Sequence, residues 1–170
     1  MGTVTVILNS ISNFATKWTS RILAGLMGGM TAVIVVAIVS RYVIKVSVPW
    51  AEELARYLMV WAAFLGGSLG LRRGVHVGIS FVVRKIPPRI SRWVSLFTSL
   101  SLLFFFLVVI AEGCSFTMFV SRQLSPALRI SMAWVYSALP TGGILFALYV
   151  IQCIVADMKA LSEQRKTAGG

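Results

Sequence analysis

The segment richest in reactive side chains is Val48-Pro49-Trp50-Ala51-Glu52-Glu53-Leu54-Ala55-Arg56-Tyr57. A helix through it sets Glu52 and Arg56 at i,i+4 and Glu53 and Arg56 at i,i+3, so one guanidinium can serve either acid. Both carboxylates stand at a helix N-terminus, where the peptide dipoles favour negative charge. Trp50 and Tyr57 carry rings suited to a lipid headgroup boundary. Two readings follow. The cluster is either a helix cap at a membrane surface or a contact with a partner protein, since two acids and a base beside lipid cost more than a simple cap requires. Catalysis is not among them. One histidine, His76, and two cysteines in 170 residues offer no metal ligand set and exclude haem held by two histidines. No catalytic centre, cofactor or metal site is expected. His76, close behind Arg72 and Arg73, reads as a hydrogen-bonding or headgroup-contacting residue.

The elements that must position these side chains are membrane helices. The chain is 58% hydrophobic, with five acids against sixteen Lys and Arg, and its mean hydropathy is +0.87. A soluble domain of this size needs a mostly polar exterior, and there is too little polar surface to make one. The formal charge of +11 does not indicate nucleic acid, because the bases lie between long apolar runs instead of on one water-facing surface. Membrane phospholipid is the better anionic partner. Four stretches are long enough to cross about 30 Å of hydrocarbon, at roughly 22–39, 54–71, 93–110 and 134–154. They lack the alternation of barrel strands. The expectation is an all-α integral membrane protein of a single membrane domain, 1–170. The N-terminus shows neither an export-signal pattern, with no base before Lys17, nor a good acylation motif, with Val6 at the sixth position. The first apolar run is therefore expected to stay as a helix.

Orientation follows from the bases. Arg72, Arg73, Arg84, Lys85, Arg89 and Arg92 fill the acid-free 72–92 loop; with Lys17, Arg21, Lys159, Arg165 and Lys166 they place eleven of the sixteen on one side. That side is expected to be cytoplasmic and to hold both termini and the 155–170 tail. Ahead of the first span, Ile7, Ile11, Phe14 and Trp18 share a helical face, which suggests an interfacial amphipathic helix over 1–21; a weakly ordered start is the alternative. The apolar stretch 76–83 is too short to cross and is expected along the inner interface, with Arg72, Arg73, His76, Arg84, Lys85 and Arg89 at the headgroups or in the inner loop. Pro87-Pro88 can open the third helix.

Inside the second span lie Trp61 and a small-xxx-small pair, Gly66 and Gly70, which permits close helix approach and marks this helix as the expected packing centre. In the fourth, Pro140 cannot bond to the carbonyl of Tyr136, so a kink or local widening is expected there. Cys114 and Cys153 fall at opposite ends of their spans, too far apart to pair.

Taken together, Trp50-Ala51-Glu52-Glu53 with Arg56-Tyr57, then Trp61, Phe64-Leu65-Gly66 and Arg72-Arg73-Gly74-Val75-His76-Val77, resemble the DctQ-like small membrane subunits of tripartite ATP-independent periplasmic (TRAP) transporters. Trp134, Tyr136, Leu139-Pro140 and Gly142 resemble that family's last helix. The resemblance covers all four spans. It implies a bacterial inner-membrane protein in a sodium-coupled symport system that imports organic acids delivered by a periplasmic binding protein. A large, elevator-type membrane subunit, here a separate chain, would carry substrate and sodium, and the small subunit would brace its static scaffold. The residues expected at the subunit interface or in structural roles are Trp50, Glu52, Glu53, Arg56, Tyr57, Trp61, Gly66, Gly70, Trp134 and Pro140. Two other classes remain open: a stand-alone oligomeric exporter, which would need an ionisable group well inside a span, and a membrane-protein assembly factor.

Overall fold

The first 39 residues contain no proline, and the chain from Gly2 to Val39 forms one helix, α1, of 38 residues. At 1.5 Å per residue it is about 57 Å long, nearly twice the hydrocarbon thickness. The computed structural model describes the backbone of residues 2–83 and 88–167 and the side chains of 8–72 and 93–159. The amphipathic start and the first span are thus continuous, because nothing between them interrupts the helical hydrogen bonds. The start is amphipathic in an inverted sense. Ile11, Phe14 and Trp18 point outward, while Ser12 and Thr19 are buried against the rest of the chain.

The end of α1 widens into a single π-type turn, Ser40–Ile44, and Lys45 then adopts a left-handed conformation with φ 59°. The amides of Lys45 and Val46 both return to the carbonyl of Ser40, the latter at 3.0 Å, which closes the helix without a glycine. Pro49 opens α2 (Pro49–Val83), and Pro88 opens α3 (Pro88–Phe119). In both first turns the missing amide hydrogen costs nothing. Helix α2 runs on through residues that the apolar pattern placed in a loop. Arg73, His76, Arg84, Lys85 and Arg89 lie outside the described side chains.

A short 3₁₀ turn, Val120–Arg122, leads into a tight reversal, after which come α4 (Ala133–Tyr136) and α5 (Ala138–Thr167). The interruption expected near Pro140 falls at Ser137. Pro140 occupies the first turn of α5, where its lack of an amide hydrogen is tolerated, and the Tyr136 carbonyl loses its i+4 donor.

Among the described residues four stretches are long and apolar enough to cross a membrane: Leu8–Ile44, Pro49–Arg72, Trp93–Arg122 and Ala133–Lys159. They contain the four spans read from the sequence, and the fold is an all-α bundle of four transmembrane helices. Helix α5 is central, flanked by α2 and α3, with α1 packed mainly on α2 and touching α5 near its start. Leu65, Leu69, Ala138, Tyr149 and Val150 form its buried core. Close approach depends on glycine at four places. A Cβ at Gly142 would stand 2.8 Å from Phe64 Cβ, one at Gly67 2.9 Å from Phe146 Cζ, one at Gly143 2.8 Å from Ile110 Cγ1, and one at Gly113 3.2 Å from Pro140 Cδ. Phe146 also stacks on Phe106 with centroids 4.3 Å apart. Within this chain the close approach expected at Gly66 and Gly70 is made at Gly67: Gly66 has ordinary room beside Leu23, and nothing lies within 4 Å of a Cβ at Gly70.

Candidate functional site

The polar residues of α2's first turns meet the reversal between α3 and α4 at one end of the bundle. The turn after α1 points Arg41 at this end, where it forms an ion pair with Glu52. Both side chains are half-exposed, so the pair is worth little in stability. Glu53 faces the other way. Its residue is only 4% exposed; it accepts a hydrogen bond from the Tyr57 hydroxyl and another, at 2.7 Å, from the Ala127 amide. The expected reach of Arg56 to both acids is therefore not what forms. Arg41 serves Glu52, a hydroxyl and an amide serve Glu53, and Arg56 lines the cleft beside them.

The partner of Glu53 is a built loop. Leu124 and Ser131 face each other in an antiparallel bridge, and the Met132 amide bonds to the Gln123 carbonyl at 2.9 Å. The Ser125 amide bonds to the Ile130 carbonyl at 2.9 Å and the Ser131 hydroxyl to the Ser121 carbonyl at 2.7 Å. Arg129, with φ 54°, turns the chain. The Ala127 amide at the loop's tip has no partner within the loop's ladder and donates to Glu53 instead. A cleft of about 410 Å³ separates loop and helix, lined by Pro49, Glu52, Glu53, Arg56, Tyr57, Pro126, Ala127 and Met132. The Met132 sulfur lies 3.4 Å from the Tyr57 hydroxyl. Such a cleft is an anchored joint between two elements with one exposed cation at its rim.

Deeper in, the Trp61 indole donates to the Trp134 carbonyl at 3.1 Å, and the Ser137 hydroxyl donates to the same oxygen at 2.8 Å. This ties α2 to the break between α4 and α5. The Trp50 and Trp134 rings are exposed. Pro140 packs over Gly113, and Gly70 faces outward. Arg72 sits at the opposite end of the bundle, where its guanidinium donates to the Ser12 carbonyl at 3.1 Å and to Asn13 Oδ1. Among the described residues no group of three or more His, Cys, Asp or Glu could hold a metal. Cys114 on α3 and Cys153 on α5 are both free thiols.

Residues 30–160 match the family of tripartite ATP-independent periplasmic transporters, DctQ component. The chain belongs to the DctQ family. This DctQ-family chain is 29% identical over 127 residues to the sialic acid TRAP transporter permease protein SiaT of Haemophilus influenzae, covering 75% of the chain and 21% of that protein. It is 30% identical over 109 residues to the C4-dicarboxylate TRAP transporter small permease protein DctQ of Rhodobacter capsulatus, covering 63% of the chain and 48% of that protein. The sialic acid TRAP transporter small permease protein SiaQ of Vibrio cholerae is 27% identical over 136 residues, 80% of the chain and 79% of that protein. The chain thus spans about a fifth of the first relative and about half of the second. The DctQ family is one of non-catalytic transport components, in keeping with a chain that carries no catalytic constellation in its sequence.

Several residues of this site escaped the sequence. Arg41 is eleven positions from Glu52, across a turn, where no helical periodicity links them. Ala127 contributes only its backbone, to which no sequence pattern points. Gly142 and Gly143 were legible as a small-residue pair beside Pro140, but nothing in a helix apolar on every face says which side meets a neighbour.

Proposed function

We propose that this chain is the small permease subunit of a sodium-coupled, binding-protein-dependent secondary importer of organic acids. It braces the static part of a large elevator-type subunit in a bacterial inner membrane, with both termini cytoplasmic. Sodium and substrate bind the large subunit. The observation that carries this is the distribution of charge. Inside the bundle, contacts are made by glycines, aromatics and aliphatics, while Arg41, Glu52, Glu53 and Arg56 collect at one end and Arg72 and Asp157 at the other. A coupling ion needs an ionisable group deep in a span, whereas a brace needs rigid packing and broad apolar faces. Helices α1 and α3 supply such faces, with Val35, Ile38, Phe97, Phe104 and Phe105 all exposed. Relatives named for C4-dicarboxylate and sialic acid support an organic acid as cargo.

On α3, Glu112 is exposed among these apolar side chains. It lies about 10 Å along the axis from the helix end at 1.5 Å per residue. A carboxylate there is costly against lipid and fits a donor on a neighbouring protein helix. Gly70, open within this chain, fits a second close approach by that partner.

The test is co-purification with the large subunit and uptake in proteoliposomes with binding protein and a sodium gradient. Arg56→Ala, Gly70→Leu and Glu112→Leu are expected to weaken the complex and lower uptake, leaving the binding protein's own affinity unchanged. Coupled transport by this chain alone would instead make it an exporter or carrier in its own right.

A further inference from the structure

The end of the bundle opposite Glu53 holds a second polar assembly. The Ser12 hydroxyl donates to Gln152 Oε1 at 2.6 Å, and Gln152 Nε2 donates in turn to the Leu8 carbonyl at 3.1 Å and to Asn9 Oδ1 at 3.2 Å. Thr16 and Tyr149 share a hydroxyl hydrogen bond of 3.1 Å. Ser12 and Tyr149 are almost fully buried, so these walls are fixed. Arg72 lies across the top, its guanidinium carbon 5.5 Å from the centroid of the Tyr149 ring. Its two hydrogen bonds go to neutral oxygens, the Ser12 carbonyl and Asn13 Oδ1. Among the described residues no carboxylate lies within ion-pair distance of it. Asp157, one turn beyond Cys153 on α5, accepts a hydrogen bond from Ser95 on α3, at 2.6 Å.

A guanidinium has five N–H donors. Among the described residues two are engaged, both by neutral oxygens, and none of those residues brings a carboxylate to the charge. Beside it opens a cleft of about 350 Å³ whose lining includes Asn9, Asn13, Arg72, Gln152 and Ala156. That is the size of a small-molecule site. Its depth is set by the chain, because Arg72 and Arg73 follow directly on the apolar run that ends at Leu71, where hydrocarbon gives way to headgroups. An anion at that depth, reached from the bilayer, is a phospholipid headgroup.

We propose that this cleft binds the headgroup of an anionic phospholipid, with Arg72 pairing to its phosphate and the Asn9 and Asn13 amides to its oxygens. The site ties the start of α1 to Arg72 of α2 and Gln152 of α5 through a lipid of the right charge. It depends on the membrane placement of the helices and not on the transport role proposed above.

The experiment is native mass spectrometry of the full chain in mild detergent, titrated with phosphatidylglycerol or phosphatidylcholine, and separately with inorganic phosphate. The parent chain is expected to retain phosphatidylglycerol in preference to phosphatidylcholine. Arg72→Gln keeps amide donors near Ser12 and Asn13 but removes the charge. It is expected to cut that preference about fivefold, the fold-change that corresponds to about 1 kcal/mol for one basic residue at an anionic surface. Ala156→Trp fills the cleft, leaves every hydrogen bond of the network in place, and is expected to abolish the retained lipid; it decides the matter if Arg72→Gln does not fold. Arg122→Gln, at the other end, is expected to change nothing. Equal retention of the two lipids by the parent chain overturns the proposal, as does a preference that survives both Arg72→Gln and Ala156→Trp. An equal loss in Arg122→Gln overturns it too, because the preference is then diffuse charge attraction. Saturable retention of inorganic phosphate that phosphatidylglycerol does not displace makes free phosphate the ligand and overturns it as well.

Discussion

Placing α5 at the centre of the bundle makes Gly142 the most demanding glycine among the described residues. A methyl group there would stand 2.8 Å from Phe64 Cβ, 2.9 Å from its Cδ1 and 3.2 Å from its Cγ. Carbon–carbon contacts are most favourable at about 3.5–4.0 Å, so α2 and α5 must part by roughly 1 Å. Phe64 cannot rotate out of the way, because its Cβ is fixed to the backbone of α2. Overpacking of this kind costs about 1–3 kcal/mol. Replacing a helical glycine by alanine returns up to about 1 kcal/mol in propensity, which leaves Gly142→Ala neutral to clearly destabilised. Gly70→Ala receives the same gain, and nothing lies within 4 Å of its methyl. The two variants should therefore differ by about 1–3 kcal/mol, the full overpacking term. Equilibrium unfolding in mixed micelles with rising SDS, followed by tryptophan fluorescence, measures this. Gly67→Ala is a useful third member, since its methyl would meet only the far end of Phe146. That ring is held by its stack on Phe106, so the variant should fall between the other two. If Gly142→Ala and Gly70→Ala unfold together, α2 does not press on α5 at Phe64, and the centre of the bundle lies elsewhere.

Glu53→Gln should loosen the 123–132 loop, since the Ala127 amide then loses a charged acceptor; hydrogen exchange at 125–129 should accelerate while α5 stays protected, and unchanged exchange would detach Glu53 from the loop. Single-cysteine labelling should find positions 84–90 and 160–168 shielded from an impermeant outside reagent and 120–128 open to it, and labelling of the tail from outside would invert the orientation. Non-reducing gels should show no disulfide between Cys114 and Cys153, both free here; an intrachain bond would mean that α3 and α5 pack in a different register.

Much of the fold was open to inspection in the chain itself. Long apolar runs, Pro49 and Pro88 at helix starts and Pro140 beside an interruption each act through local backbone chemistry. Local chemistry is visible in one dimension. That α2 comes closest to α5 at neither Gly66 nor Gly70 within this chain has a physical reason. In a membrane helix the lipid-facing and protein-facing sides carry the same kinds of residue, so periodicity does not reveal azimuth. Gly67, one residue on, is the one that meets α5. The pairing expected of Arg56 does not form, for a different reason. Helical spacing offered it two acids, but a turn brought Arg41 to Glu52, and a backbone amide took Glu53. Spacing within one helix counts only the partners on that helix.

The two polar ends of the bundle answer to different demands. At the Glu53 end, the acceptor is one buried carboxylate and the donors are a hydroxyl and a loop amide. The charge is absorbed by the chain itself, which fixes the loop relative to α2 and leaves Arg56 as the group available to a neighbour. At the Arg72 end the balance is reversed. Among the described residues the cation receives only neutral oxygens, and the proposed headgroup would meet its charge from outside. Between them, α5 interlocks with its neighbours through Gly113, Gly142 and Gly143, positions at which even a methyl group meets another helix. A bundle built to rearrange would place slack or ionisable groups in that middle layer. Here α5 meets its neighbours at glycine-close contacts, and apart from Glu112 on the exposed side of α3 the described charges named above sit toward the ends. That is the packing the proposed brace would require.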